Sequence, residues 1–243
     1  MPAISPAQMV AIWERGKPQP DWQRALEIVA AGEECGDAEH LRTLTLGERN
    51  ARLFALRKAT IGPIMRAFVK CPQCSEPLEF EQSIDELLDG NAAAPQREFS
   101  FAIDGYTLHC RLHDSTDIAH TADLFFEEEI AEALVDRALL KAEHAGETLP
   151  SAALSDSMRA AIAREVAARD PLSRPGVALG CAACEHVWQA PLDIAAFFWT
   201  EIERLARTTL DDVIALARGY GWRENDILEM GASRRQLYLE ALE

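Results

Sequence analysis

No stretch of this 243-residue chain has the roughly 20 consecutive apolar residues of a membrane span. Its first residues, Met1-Pro2-Ala3-Ile4-Ser5-Pro6, carry neither the basic nor the apolar region of a secretory signal. A cytoplasmic, non-membrane protein is therefore expected. Positive charge is scarce as well: 24 Lys and Arg face 40 Asp and Glu, for a formal net charge of −16. Duplex binding needs clustered cations to displace counterions from phosphate, and no basic tract is present. A local patch stays open at Arg234-Arg235 or across Arg42, Arg49, Arg52, Arg57 and Lys58, but a nucleic-acid partner is not expected. Missing too are a Gly-rich phosphate loop, a G-x-S-x-G elbow and an H-E-x-x-H pair, so no catalytic residue is assigned and a non-enzyme is expected.

The chain does have two short cysteine motifs, Cys71-Pro72-Gln73-Cys74 and Cys181-Ala182-Ala183-Cys184. A C-x-x-C turn places two thiolates on one side of a tight loop, and two such turns together supply the four sulfurs of a tetrahedral zinc site. The residues after each turn match as well. At +4, +10, +13 and +14 from the second cysteine stand Leu78, Ile84, Leu87 and Leu88 in one copy, and Trp188, Ile194, Phe197 and Phe198 in the other. Each copy reads as knuckle, short strand, helix start, the plan of a zinc ribbon. The interval departs from that plan, because 106 residues lie between Cys74 and Cys181 where small ribbons have roughly 15 to 20. A structural Zn²⁺ held by Cys71, Cys74, Cys181 and Cys184 is expected, with the intervening segment as an insertion. Four thiolates leave no open position for water, which excludes catalysis at the metal. The competing readings of either pair are an ordinary turn or a redox dithiol, the latter requiring reactive, low-pKa thiols. Cys35 and Cys110 are left over as idle or buried thiols of a reducing compartment.

The composition, 48% hydrophobic, is that of a globular protein. Helices are expected from Ser5 to Arg15, from an Asp21 N-cap to Gly32, and from Thr45 to Ala59. In the third, Leu46, Leu53, Phe54 and Leu56 face inward, while Glu48, Arg49, Arg52, Arg57 and Lys58 face outward. Ile64 to Lys70 reads as a strand into the first knuckle, and Leu78 to Glu81 as a strand out of it. After a loop over Asn91 to Gln96, Phe99, Phe101 and Ile103 alternate up to Asp104-Gly105, and Tyr106, Leu108, Cys110 and Leu112 alternate back: a hairpin. His109, His113 and His120 lie near it without metal-ligand spacing.

Helical pattern resumes from Thr116 to Ala145. Over Asp123 to Leu140 it has carboxylates outside and Leu124, Phe125, Ile130, Leu134 and Leu139 inside. A loop from Gly146 to Ser151 leads to a helix from Ser157 to Arg169. Val177 to Leu179 enters the second knuckle and His186 to Gln189 leaves it, with His186 outside a metal shell already filled. Asp193 opens the longest helix, ended by Gly219-Tyr220-Gly221-Trp222, and two short helices close the chain. The expected fold is α+β, mostly helical around a central split zinc ribbon. Its parts are an N-terminal helical region (1–62), a split ribbon and hairpin module (63–115 and 176–192), an inserted helical region (116–175) and a C-terminal helical region (193–243).

Leu216-Ala217-Arg218-Gly219-Tyr220-Gly221-Trp222, then Asp226-Ile227-Leu228, Arg234-Arg235 and Tyr238-Leu239, resembles the closing motif of the baseplate hub assembly chaperones of T-even-type phage. Leu46-Gly47-Glu48-Arg49, Ala67-Phe68-Val69, both knuckles, Asp193-Ile194 and Phe198-Trp199 before Glu201-Ile202 resemble the zinc-knuckled members found with phage-tail-like contractile injection systems. The likeness covers most of the chain and adds little between Thr116 and Pro175. It implies a non-enzymatic assembly factor or minor hub-associated component whose partners are baseplate or hub proteins. It carries over no catalytic residue. The alternative is a zinc-ribbon regulatory or nucleic-acid-associated protein, and the lack of a basic tract speaks against it.

Overall fold

The computed structural model describes residues 1–33, 37–89 and 95–242. The fold is α+β, and the chain divides into two compact units that interleave along the sequence.

One unit comprises Met1–Gly36, Leu53–Gly62 and Ile194–Glu243. Helix α1 (Pro6–Gly16) starts at a reciprocal cap: Ser5 Oγ accepts the Gln8 N–H at 3.2 Å, and Gln8 Oε1 accepts the Ser5 N–H at 2.9 Å. Helix α2 is Asp21–Ala31. Both pack on the 27-residue α9 (Ile194–Tyr220), whose buried Phe198, Trp199, Ile202, Ala206, Thr209, Val213 and Leu216 recur every three or four residues. Gly16 is needed where α1 meets α9, since a Cβ there would run into the Trp199 ring. Helices α10 (Glu224–Leu228) and α11 (Ala232–Glu240) fold back on the end of α9 around a small core of Val213, Leu216 and Ile227.

The second half of α4 (Leu46–Thr60) belongs to this unit and corrects one expectation. Arg57 does not face water; its side chain is 3% exposed and forms a two-pronged pair with Glu201, at 2.7 and 3.0 Å, while also donating to Gly62 O at 2.6 Å. A planar guanidinium satisfies several acceptors at once, which is why it tolerates burial where a lysine would not.

The other unit comprises Asp37–Arg52 and Pro63–Asp193. After α3 (Ala38–Arg42), the start of α4 is fixed by a second reciprocal cap between Thr45 and Glu48. Arg49 is likewise buried, contrary to the outward position expected of it. It bonds Asn50 Oδ1 and Ser115 Oγ, and desolvation lowers its pKa against the pull of Asp193 and Asp170. Gly47 N–H donates to buried Asp170 at 2.9 Å, and a Cβ on Gly47 would overlap that carboxylate. Desolvation pushes the Asp170 pKa up, only partly offset by the Gly47 N–H and the Thr45 hydroxyl.

Strands β1 (Ile64–Lys70) and β2 (Pro77–Ser83) form one hairpin, followed by the single-turn helix α5 (Ile84–Leu88). Strands β3 (Glu98–Ile103) and β4 (Tyr106–Arg111) form the hairpin expected at Asp104-Gly105, where both residues have positive φ. That hairpin belongs to a larger sheet. Helix α6 (Ser115–Thr121) and helix α7 (Glu127–Ala138) lead into β5 (Leu139–His144) and β6 (Glu147–Leu149), giving the strand order β3-β4-β5-β6. The helix expected through Ala145 therefore stops at Ala138, and the segment 116–175 is not all helical. Ala142, fully buried against β4, fixes the register. Helix α8 (Asp156–Arg169) covers this sheet over a core of Phe99, Leu108, Cys110, Val135, Ile162 and Val166. Phe125, expected inward, is 89% exposed, because α7 begins four residues later than Asp123 and leaves it in the preceding turn. Strands β7 (Gly176–Gly180) and β8 (Val187–Pro191) form the last hairpin.

Candidate metal centre

The two cysteine turns have the same local construction. In the first, Cys71 N–H donates to Glu76 O and Ser75 N–H to Cys71 O, both at 2.9 Å. In the second, Cys181 N–H donates to His186 O and Glu185 N–H to Cys181 O, again both at 2.9 Å. Ser75 and Glu185, one residue past each second cysteine, hold positive φ values of 63° and 58°. The left-handed residue turns the chain back so that the strands can pair. Lys70 pairs with Pro77 and Gly180 with Val187, and all five pairs of the β7–β8 hairpin have their counterparts 110 positions earlier in β1–β2. Helices α5 and α9 begin at equivalent residues, Ile84 and Ile194, both buried.

The β1–β2 and β7–β8 hairpins pack through equivalent positions. Val69 and Leu179, Phe80 and Ala190, with Val177, Trp188 and Leu192, share one small apolar cluster. This packing brings the turns together. The Sγ atoms of Cys71, Cys74, Cys181 and Cys184 all lie within 4.8 Å of one another, and these four residues could hold a metal ion. Cys71 and Cys184 sulfurs are 3.7 Å apart, Cys74 and Cys181 sulfurs 3.6 Å. A metal–sulfur bond of about 2.3 Å in tetrahedral geometry implies sulfur–sulfur edges of about 3.8 Å. A disulfide needs about 2.05 Å, and all four thiols are free. The donor set and its spacing thus fit a tetrathiolate ion. Cys71 and Cys181 are buried, Cys184 is half-buried and Cys74 is exposed, so each hairpin places its first cysteine inside.

Backbone amides prepare the sulfurs for negative charge. Glu76 N–H donates to Cys74 Sγ, His186 N–H to Cys184 Sγ, and Cys74 and Gln73 N–H groups to Cys71 Sγ. Burial disfavours the Cys71 thiolate, but these amides and the neighbouring thiols outweigh it and bring its pKa down to about 7. Cys74 moves the other way, to about 12: the Glu76 amide favours its thiolate, and the crowd of sulfurs with burial overrides that help. Cys184 is also raised, the His186 amide being outweighed by burial and nearby sulfur. Four sulfurs this close cannot all ionise on their own; a divalent cation among them removes that obstacle.

The other candidates are arranged differently. His186 stacks on Trp188, with ring centroids 5.7 Å apart, and takes no place among the sulfurs. His109 bridges Ser100 Oγ (2.8 Å) and Glu143 (3.1 Å) on the outer face of the four-stranded sheet. His113 bonds Leu134 O and His120 bonds Thr116 O. Cys110 is a core thiol whose pKa burial pushes up to about 11. Cys35 lies outside the described residues, as does most of the Asn91 to Gln96 loop. Two features escaped the sequence reading: the Gly47–Asp170 contact, for which L-G-E-R gave no signal, and the three-way cluster of Asp117 with Arg111 and Arg137. Asp117 is fully buried and receives two bonds of 2.7 Å from Arg111 and a shorter one from Arg137. Of the described helices, none is long and apolar enough to cross a membrane. Compared with family models, curated proteins and solved structures, the chain matches none.

Proposed function

We propose that Cys71, Cys74, Cys181 and Cys184 hold one structural Zn²⁺ in a split zinc ribbon. We further propose that the chain is a non-enzymatic assembly factor, or minor hub-associated component, of the baseplate of a phage-tail-like contractile injection system. The observation that carries the first part is the meeting of four sulfurs from two hairpins built in the same register 110 positions apart. Zinc supplies a cross-link here and no reaction, because four thiolates complete its shell. The intervening segment, with its own sheet and helices, is then an insertion closed at its base by the ion.

The baseplate part rests on the sequence resemblance. It is supported by where the resembling residues lie: Leu216 and Ile227 are buried, and Trp222, Leu228, Tyr238 and Leu239 pack around them. Tyr220 stacks on Trp222 at 4.5 Å, and Tyr238 meets Trp222 edge-on at 4.8 Å. The closing motif is thus the internal framework of the C-terminal helices. The strongly acidic surface favours protein partners over nucleic acid.

The test is affinity capture of the zinc-loaded protein from cells expressing its neighbouring genes, with metal analysis of the same sample. Baseplate or hub subunits recovered at one zinc per chain would support the proposal. Recovery of nucleic acid or polymerase, or of no tail protein, would overturn it in favour of a zinc-ribbon regulator.

A further inference from the structure

The turn between α6 and α7 carries two adjacent phenylalanines that the fold does not use. Phe125 is 89% exposed and Phe126 68% exposed. A phenylalanine side chain offers on the order of 200 Å², so the pair leaves roughly 300 Å² of aromatic surface in water, a size at which surface patches are often functional. The turn itself is ordered by bonds from Leu124 N–H to Thr121 O (3.1 Å) and from Ile130 N–H to Phe126 O (3.1 Å). The rings are therefore presented by a defined backbone, which lowers the cost of docking.

The flanking charge selects the occupant. Asp123, Glu127, Glu128 and Glu129 are all exposed, and no ion pair joins any of them among the described residues. The three glutamates favour the start of α7 through its dipole, but that role does not account for two rings held in water. A second copy of this chain would bring like charge against like, at −16 per chain.

We infer that Phe125 and Phe126 form a docking site for a different protein, one that presents an apolar pocket or seam rimmed by Lys and Arg. The rings supply the anchors that desolvate on contact. The carboxylates steer the basic rim into register and raise the association rate. This extends the assembly reading to a particular face, but its chemistry does not depend on which partner is found.

Fluorescence anisotropy with two labelled amphipathic helical peptides tests it, one patterned Leu/Lys and one Leu/Glu. The Leu/Lys peptide is expected to bind the zinc-loaded protein, more weakly as salt is raised. The double variant Phe125→Ser/Phe126→Ser is expected to weaken that binding roughly tenfold or more, with an unchanged melting temperature because neither ring is in a core. Glu127→Gln/Glu128→Gln/Glu129→Gln is expected to weaken it several-fold with little change in dissociation rate. Binding indifferent to the phenylalanines, equal binding of the Leu/Glu peptide, or a wild-type dimer abolished by the double variant would each overturn the inference. Intact Leu/Lys binding without recovery of any tail protein would instead overturn only the baseplate reading.

Discussion

Cys71 and Cys184 are 113 positions apart in sequence, yet their sulfurs are 3.7 Å apart. Ser75 and Glu185, in left-handed conformation one residue past each second cysteine, make this approach possible by folding both turns alike. Among the described residues the two hairpins share a small apolar cluster centred on Val177, Leu179 and Ala190. A core of that size cannot hold four thiolates together against their mutual repulsion, so the proposed zinc ion is expected to supply most of the stability of this region.

On the proposed zinc centre, replacing Cys71 or Cys184 by Ser should therefore abolish stoichiometric zinc and unfold much of the unit that carries the four cysteines. Apparent zinc binding at such sites is about 10 kcal/mol or more at neutral pH. Circular dichroism before and after a strong chelator gives the check: a cooperative loss of signal, reversed by adding zinc, is expected. Cys74, the exposed member of the proposed ligand set, is the route by which a chelator should enter.

Asp117 gives the fold an acid-sensitive point. Its pKa is lowered although burial alone would raise it, because Arg111, the Asp114 N–H and Arg137 all favour the carboxylate. A carboxylate with a depressed folded-state pKa stabilises above its unfolded value, near 4, and that stability is lost as pH falls through the folded value. Asp117→Asn should cost about 2–3 kcal/mol near neutrality. This is less than the ~3–5 of a fully buried pair, since Arg111 and Arg137 keep 24% and 28% of their side chains in water. Melting curves of wild type and variant should converge at low pH.

The Arg57–Glu201 pair should behave asymmetrically. Glu201→Ala strands a guanidinium whose side chain is 3% exposed and should cost about 3 kcal/mol. Arg57→Met leaves Glu201, 18% exposed, able to reach water, and should cost clearly less. Urea denaturation of the two variants measures the difference.

Gly47→Ala forces a methyl group into the Asp170 carboxylate and should cost about 1–3 kcal/mol, the range for overpacking. If the cause is that contact, Gly47→Ala in an Asp170→Ala background should cost far less than in wild type, a non-additivity that a double-mutant cycle detects.

Much of this architecture was legible in the sequence where local chemistry and tertiary structure agree. The paired C-x-x-C motifs, their matched apolar followers and the Asp104-Gly105 hairpin each carry a local physical signal, and each lies where expected. Strands β5 and β6 were hidden. Leu139-Leu140-Lys141-Ala142-Glu143-His144 is made of good helix formers, and its hairpin turn uses Ala145 at φ 51° before Gly146, not the Asn-Gly or Asp-Gly pair that announces such turns. Pairing with β4 overrides the local preference. The buried positions of Arg49 and Arg57 were equally silent, because their partners Ser115 and Glu201 are distant in sequence. Phe125 was misplaced for the opposite reason: an aromatic at helical spacing is usually interior, and only the late start of α7 leaves it outside.

Zinc K-edge X-ray absorption on protein purified without added metal tests the tetrathiolate centre most directly. The expected result is one zinc per chain with four sulfur neighbours at about 2.3 Å and no nitrogen or oxygen. A shell containing water or imidazole, or a protein that is folded and metal-free with its cysteines oxidised, would contradict the structural-zinc centre.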